Sequence, residues 1–135
     1  MIERPLLLDT CAILWFVEGA LPADLMELLN TAASGEALVS PISAWELGML
    51  ISRGRLTLSR SAPDWFGDLL DTGVALAAMP PAVLIAASFL PGEPPRDPAD
   101  RIIAATARTF GYSVMTRDRG LLSYGEAGHI ESVRC

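Results

Sequence analysis

An α/β fold with a mainly parallel sheet of about four to five strands is predicted for this chain, and three observations predict it. Several short segments read as strands, Pro5 to Leu8, Ala37 to Val39, Val74 to Met79 and Tyr112 to Met115, and the first is an apolar run consistent with a buried parallel strand. Longer stretches with helical spacing lie between them. Acids follow the first and the fourth run, Asp9 at once and Asp118 a few residues on. In such folds, ligands bind outside the carboxyl ends of the strands, where the strand order reverses.

Each element has its own local signal. After the strand at Pro5 to Leu8, Cys11 to Val17 predicts a short helix ending before Gly19. Pro22 to Ala33 carries Leu25, Leu28, Leu29 and Ala32 at helical spacing and stops near Ser34-Gly35. After the strand at Ala37 to Val39, Ser43-Ala44-Trp45-Glu46 has the S-x-x-E spacing of a capping box, opening a helix that runs to Gly54. Leu56 to Ser61 is a connector, and Pro63 to Leu70 an amphipathic helix carrying Trp65, Phe66, Leu69 and Leu70. A third strand spans Val74 to Met79, a helix Pro81 to Leu90, and a loop Pro91 to Pro95.

At Asp97-Pro98-Ala99-Asp100 another helix begins. Asp97 can accept a backbone hydrogen bond as N-cap, and Pro98 occupies the first helical position, where its missing N–H costs nothing. This helix reaches about Phe110, with Gly111 as C-cap. A fourth strand at Tyr112 to Met115 leads into Thr116-Arg117-Asp118-Arg119, a short helix carries Leu121 and Leu122, and Ile130 to Val133 is a last edge strand.

Composition narrows the function classes. With 51% hydrophobic and 19% charged residues over 135 positions, one compact domain spanning 1–135 is expected. The net charge of −6 disfavours nonspecific nucleic-acid binding. All 10 basic residues are arginines, and a chain without lysine cannot carry a Walker loop. Cys11, in a segment expected to be buried, and Cys135, the last residue, read as reduced thiols of a cytoplasmic protein. Glu3 and Arg4, followed by only Leu6 to Leu8 before Asp9, do not make a signal peptide. Thr72 to Gly92 is free of charge and long enough for a bilayer. Pro80-Pro81 near its middle and the flanking Asp71 and Glu93 favour a strand followed by a helix, and no membrane association is expected.

Asp9, Glu46, Asp100 and Asp118 would meet at one sheet edge in this architecture. Four acids cannot share a pocket as bare anions, because repulsion raises their pKa values. A divalent cation resolves the conflict, and hard oxygen ligands suit Mg²⁺ or Mn²⁺. Each acid also has a plainer role open to it. Asp9 and Asp118 can cap the helices after them, Glu46 can complete the box with Ser43, and Asp100 can favour the helix dipole.

Four segments together carry a family resemblance: Leu6-Leu7-Leu8-Asp9-Thr10, Ser43-Ala44-Trp45-Glu46-Leu47, Asp97-Pro98-Ala99-Asp100-Arg101 with Ile102 to Ala107, and Thr116-Arg117-Asp118. In order and spacing the chain resembles PIN-domain ribonucleases of the VapC-like toxin group. The resemblance implies a three-layer α/β/α domain. It also implies a Mg²⁺-dependent endoribonuclease (Mn²⁺ being the alternative), a toxin held inactive by an antitoxin encoded beside it. The family's catalytic and metal-binding acids carry over to Asp9, Glu46, Asp100 and Asp118, with the Thr116 hydroxyl in support. Asp97 is kept in a supporting role as the helix cap. Arg96, Arg101, Arg117 and Arg119 adjoin these acids and are candidates for RNA phosphates, or for ion pairs with surface acids. A homodimer is a family expectation that the apolar helices around Trp45 and Trp65 could serve. Relatives often place a histidine before the Asp-Pro pair, where this chain has Pro95 and Arg96. That departure bears on substrate preference more than on metal binding.

Other readings fit less well. Trp15, Trp45 and Trp65 are expected in the core or a subunit interface in preference to stacking on bases. A Cys11 nucleophile would need a base, and His129, the one histidine, has no motif around it. A dehalogenase-like phosphatase or a phosphoryl-accepting receiver would use Asp9 as nucleophile, but both normally add a lysine, and the phosphatase an acid where Cys11 stands. A catalytically silent PIN fold that binds RNA or protein is the remaining alternative.

Overall fold

The computed structural model describes residues 2–135. Strands β1 (Leu6–Leu8), β2 (Ala37–Val39), β3 (Ala75–Leu76), β4 (Ser113–Thr116) and β5 (Glu131–Arg134) form one sheet in the order β3-β2-β1-β4-β5, with every neighbouring pair parallel. The chain therefore winds outward from β1 to β3, returns across the sheet, and winds outward again through β4 and β5. Helices α1 (Thr10–Glu18) and α2 (Ala23–Asn30) join β1 to β2, and α3 (Pro41–Ser52) and α4 (Ala62–Asp71) join β2 to β3. Helices α5 (Pro81–Ala86) and α6 (Pro98–Phe110) make the return, and α7 (Arg119–Glu126) precedes β5.

Crossovers between parallel strands are right-handed, so a reversal of winding moves the helices to the opposite face of the sheet. The packing follows that rule. Leu6 and Leu8 point to one face and pack with Ile13 and Phe16 of α1, Leu29 of α2, Leu47 of α3 and Leu69 of α4. Leu7, one residue out of phase, points to the other face with Ile103 and Ala107 of α6 and Leu121 and Tyr124 of α7. Helix α5 lies outside α6, through Val83 and Ala87 against Ala105. The result is three layers, α/β/α, with the switch point between β1 and β4.

Helix α6 forms as its sequence predicts. Asp97 accepts a hydrogen bond from the Asp100 N–H at 3.0 Å, Pro98 is the first helical residue, and Gly111 closes the helix at φ 75°. Helix α3 does not. It begins at Pro41, with Ser40 as N-cap accepting from the Ile42 N–H at 3.1 Å. The predicted box at Ser43 and Glu46 is therefore not a cap: both residues lie inside the helix. The Ser40-Pro41 pair wins because proline at the first position carries both a preset φ and no orphan donor.

The charge-free stretch from Thr72 to Gly92 folds as the short β3, the Pro80-Pro81 turn and α5, and among the described residues no helix is long and apolar enough to cross a membrane. Strand β3 is shorter than expected because it is an edge strand whose pairing with β2 ends in a single Ala77 N–H to Val39 bond. Helix α5 stops at Ala86 instead of Leu90, because its end tightens into i→i+3 turns, with the Ser88 N–H on Ile85 and the Phe89 N–H on Ala86. Two further expectations change. Cys11 is exposed, because its position in the first turn of α1 faces outward from the core. Of the tryptophans, Trp65 is buried, whereas Trp45 is 53% exposed.

Candidate active site

Asp9 leaves β1 at the switch point and caps α1, accepting from the Ala12 N–H at 2.8 Å. Its backbone N–H still bonds Met115 of β4, so the parallel ladder itself carries the acid to the edge. Its second oxygen, Oδ2, accepts from the Thr116 hydroxyl at 2.5 Å. Thr116 in turn accepts from the Asp118 N–H at 2.9 Å, and Asp118 caps α7 through Leu121 at 3.0 Å. One fully buried hydroxyl at the end of β4 thus ties together the two acids that follow β1 and β4. The capping roles of Asp9 and Asp118 are real, yet each carboxylate keeps lone pairs that the caps do not use.

Glu46 arrives from α3. Its Oε1 accepts a hydrogen bond from the Thr10 hydroxyl, which is also bonded to the Ser43 hydroxyl at 3.0 Å. Glu46 and Ser43 are three apart and share a helix face, and Thr10 reaches them from the first residue of α1. Asp100 arrives from the first turn of α6, at the third helical position, beside the capping Asp97.

The electrostatics record how closely these groups meet. Asp100 is pushed up to about 8, first by burial and then by the charges of Asp118, Asp97, Glu46 and Asp9. Glu46 is raised by burial and by Asp97, Asp9 and Asp118, against the Thr10 bond that lowers it. Asp9 is raised chiefly by burial and secondarily by Asp118, although its bonds from Thr116 and Ala12 pull the other way. Asp9, Glu46 and Asp100 all lie within the field of Asp118, so acids from four separate chain segments share one electrostatic environment. Among the described residues no three His, Cys, Asp or Glu side chains, as oriented, are grouped as ligands of one ion. The donors themselves are all hard oxygens, which suit Mg²⁺ or Mn²⁺ and not a soft metal.

The PIN domain family model matches residues 6–127. The chain belongs to the PIN-domain family. Ribonuclease VapC22 of Mycobacterium tuberculosis is 34% identical over 120 residues, covering 87% of this chain and 90% of that protein. In fold, this PIN domain is similar to VapBC2 from Rickettsia felis, solved with a DNA fragment from its promoter, at a TM-score of 0.67 and 14% identity over 96% of this chain and 97% of that one. It is also similar to FitAcB from Neisseria gonorrhoeae, at 0.58 and 19% identity over 94% and 95%.

The arginines beside the acids divide into two pairs in this PIN domain. Arg101 donates to the carbonyls of Ala87 (2.9 Å) and Pro95 (3.3 Å), bracing the α5–α6 connection. Arg117 donates to the Cys135 carbonyl at 2.6 Å and stacks on Trp15 at 4.0 Å, docking the chain end against α1. Among the described residues neither makes a salt bridge to an Asp or Glu side chain. Arg96 and Arg119 are exposed beside Asp97 and Asp118, and among the described residues neither makes a salt bridge.

Cys11 is pushed up to about 11, by partial burial and then by Asp9, Glu46, Asp100 and Asp118, so its thiol stays protonated and is a poor nucleophile. His129 precedes β5 at the opposite end of the parallel sheet, its ring tilted against that of Tyr124 and packed over Gly92. No Cys–His pair forms.

The residues that sequence reasoning missed are Thr10 and Ser43. Both are buried and hydroxyl-bearing, and together they hold the Glu46 carboxylate. The available signal was Ser43 lying three residues before Glu46, which had been assigned to capping.

Proposed function

We propose that this PIN domain is a Mg²⁺-dependent endoribonuclease that acts as the toxin of a toxin–antitoxin pair, hydrolysing RNA phosphodiester bonds at the Asp9, Glu46, Asp100 and Asp118 cluster. The observation that carries the reading is the mutual electrostatic influence of acids from four separate chain segments at the switch point. A fold that only needed caps would have no reason to gather them. The 34% identity to a protein named a ribonuclease, across most of both chains, supports the substrate class. The antitoxin partner rests on the VapC name of that relative and on the family resemblance.

Asp9, Glu46 and Asp100 would hold the cation, with Asp118 completing a second position or orienting water; Mn²⁺ would fit the same donors. Bound there, the ion would supply positive charge at the scissile phosphate and would acidify water for attack. The protein's own part is orientation. Thr116 and the Ala12 N–H fix both oxygens of Asp9, so its free lone pairs face outward from the end of β1. The Thr10 bond selects one rotamer of Glu46. Asp100, pushed up to about 8, holds a proton near neutral pH that it would have to release to serve as a ligand, so affinity for a cation is expected to rise with pH up to about 8. Arg96 and Arg119 stand ready to meet phosphates that flank the cut.

Expression in a bacterial host tests the reading. The wild-type chain is expected to arrest growth and degrade RNA, and Glu46→Gln to restore growth at equal protein level. Undiminished arrest by Glu46→Gln would contradict the assignment.

A further inference from the structure

Helix α3 presents two neighbouring faces at the acid cluster. Glu46 points toward the acids, and the next stripe, Trp45, Met49 and Arg53, runs down the outside of the helix at spacings of four. These residues, with Arg55 just past the helix end, form one wall of a groove of about 390 Å³. Asp97 and Pro98 at the start of α6 form the other wall, and Glu46 itself lines the groove where it meets the acids. Trp45 is 53% exposed there. Among the described residues neither Arg53 nor Arg55 makes a salt bridge.

We propose that this groove is a subsite for single-stranded RNA, in which one unpaired base adjacent to the scissile phosphate stacks on the Trp45 indole and the next phosphates meet Arg53 and Arg55. The proposal rests on the ribonuclease reading above and adds to it the place where the strand lies. Three features favour RNA as the occupant. Glu46 and Asp97 both line the groove, so it adjoins the acid cluster and a strand bound at the acids can continue into it. An aromatic face followed by cations along a channel is the arrangement that binds single strands, because every base has a π-face and every linkage a charge. The two arginines place positive charge at the far end of an otherwise acidic site, which complements a polyanion and draws it away from the carboxylates. A subsite of this kind tolerates any base and sets the need for an unpaired one.

The test uses the intact protein with a short fluorescent RNA, cleavable and in a version carrying one abasic position next to the cut. Trp45→Ala is expected to raise KM by roughly 5- to 100-fold, the range that loss of one base–aromatic stack corresponds to, with a smaller change in kcat. Trp45→Phe, which keeps an aromatic face, is expected to recover most of the loss. The abasic RNA is expected to bind the wild type as weakly as intact RNA binds Trp45→Ala, and the two changes together to cost no more than either alone. Arg53→Ala with Arg55→Ala is expected to flatten the salt dependence of KM. Equal KM for wild type and Trp45→Ala, additive losses with the abasic RNA, or a change of mass in light scattering on Trp45→Ala that marks the face as a contact between two copies would each overturn the subsite. These results are distinguishable from failure of the parent reading, in which the wild type itself would leave intact RNA uncut.

Discussion

Asp100→Asn is expected to abolish RNA cleavage, by roughly 10³-fold, while making the metal-free protein more stable at alkaline pH. The first effect follows from the proposed site, in which Asp100 would be one anionic ligand of a cation that would supply several kcal/mol to the transition state. The second follows from the cost of gathering acids. In the fold, Asp100 is raised from 3.8 to about 8. Between those values the folded state keeps a proton that the unfolded chain has released, so stability falls as pH rises from about 4 to about 8. An amide carries no such penalty. Thermal unfolding in chelator should therefore show the wild type losing several degrees across that interval, with Asp100→Asn losing less, since Asp9 and Glu46 stay raised, and the two converging toward pH 4. Cleavage at wild-type rate by Asp100→Asn would remove that residue from the site. A pH-independent wild-type midpoint would show that the acids are not packed against one another.

Thr116→Val is expected to cost about 1–3 kcal/mol of stability, because it removes the donor to Asp9 Oδ2 and the acceptor of the Asp118 N–H in one step. The shape is nearly kept, so the loss is one of hydrogen bonding and not of packing. Cleavage should fall by roughly 10- to 100-fold, the usual effect of removing a residue that orients a ligand. Losing the Thr116 bond also removes one of the two influences that lower Asp9, so Asp9 moves further up. Thr116→Ser retains the hydroxyl and should recover both stability and rate. Urea unfolding and single-turnover cleavage measure the two effects, and a Thr116→Val protein with unchanged values of both would contradict the relay from β4 to Asp9.

Most of the fold is readable from local pattern. The apolar runs at Leu6 to Leu8 and Ala37 to Val39 have no polar phase, which parallel strands covered on both faces require. The Asp-Pro start and Gly111 stop of α6 are chemical signals that act within one helical turn. The misreadings arise where two local signals compete or where the deciding contact is distant. Ser40-Pro41 and Ser43-x-x-Glu46 both announce a helix start, and only the fold shows that Glu46 bonds Thr10, 36 residues earlier, instead of its own backbone. Arg101 and Arg117 sit beside acids in sequence, yet their guanidinium groups turn to carbonyls of Ala87, Pro95 and Cys135. Trp45 and Trp65 look alike in sequence, and which one is covered depends on the neighbours of α3 and α4, which no local rule supplies.

For the four candidate acids the logic runs the other way. Asp9 and Asp118 do cap their helices, as Asp97 does beside Asp100, whereas Glu46 is no cap and bonds Thr10. What local roles do not account for is their arrival at one end of one sheet, which follows from the β3-β2-β1-β4-β5 order and the reversal beside β1.

Cleavage of cellular RNA by the purified chain, mapped with Mg²⁺ and again with excess chelator, tests the central claim most directly. Discrete cuts are expected with Mg²⁺, none with chelator, and none with Asp9→Asn under either condition. The same cuts in chelator, or from Asp9→Asn with Mg²⁺, would contradict a metal-dependent site built on these acids.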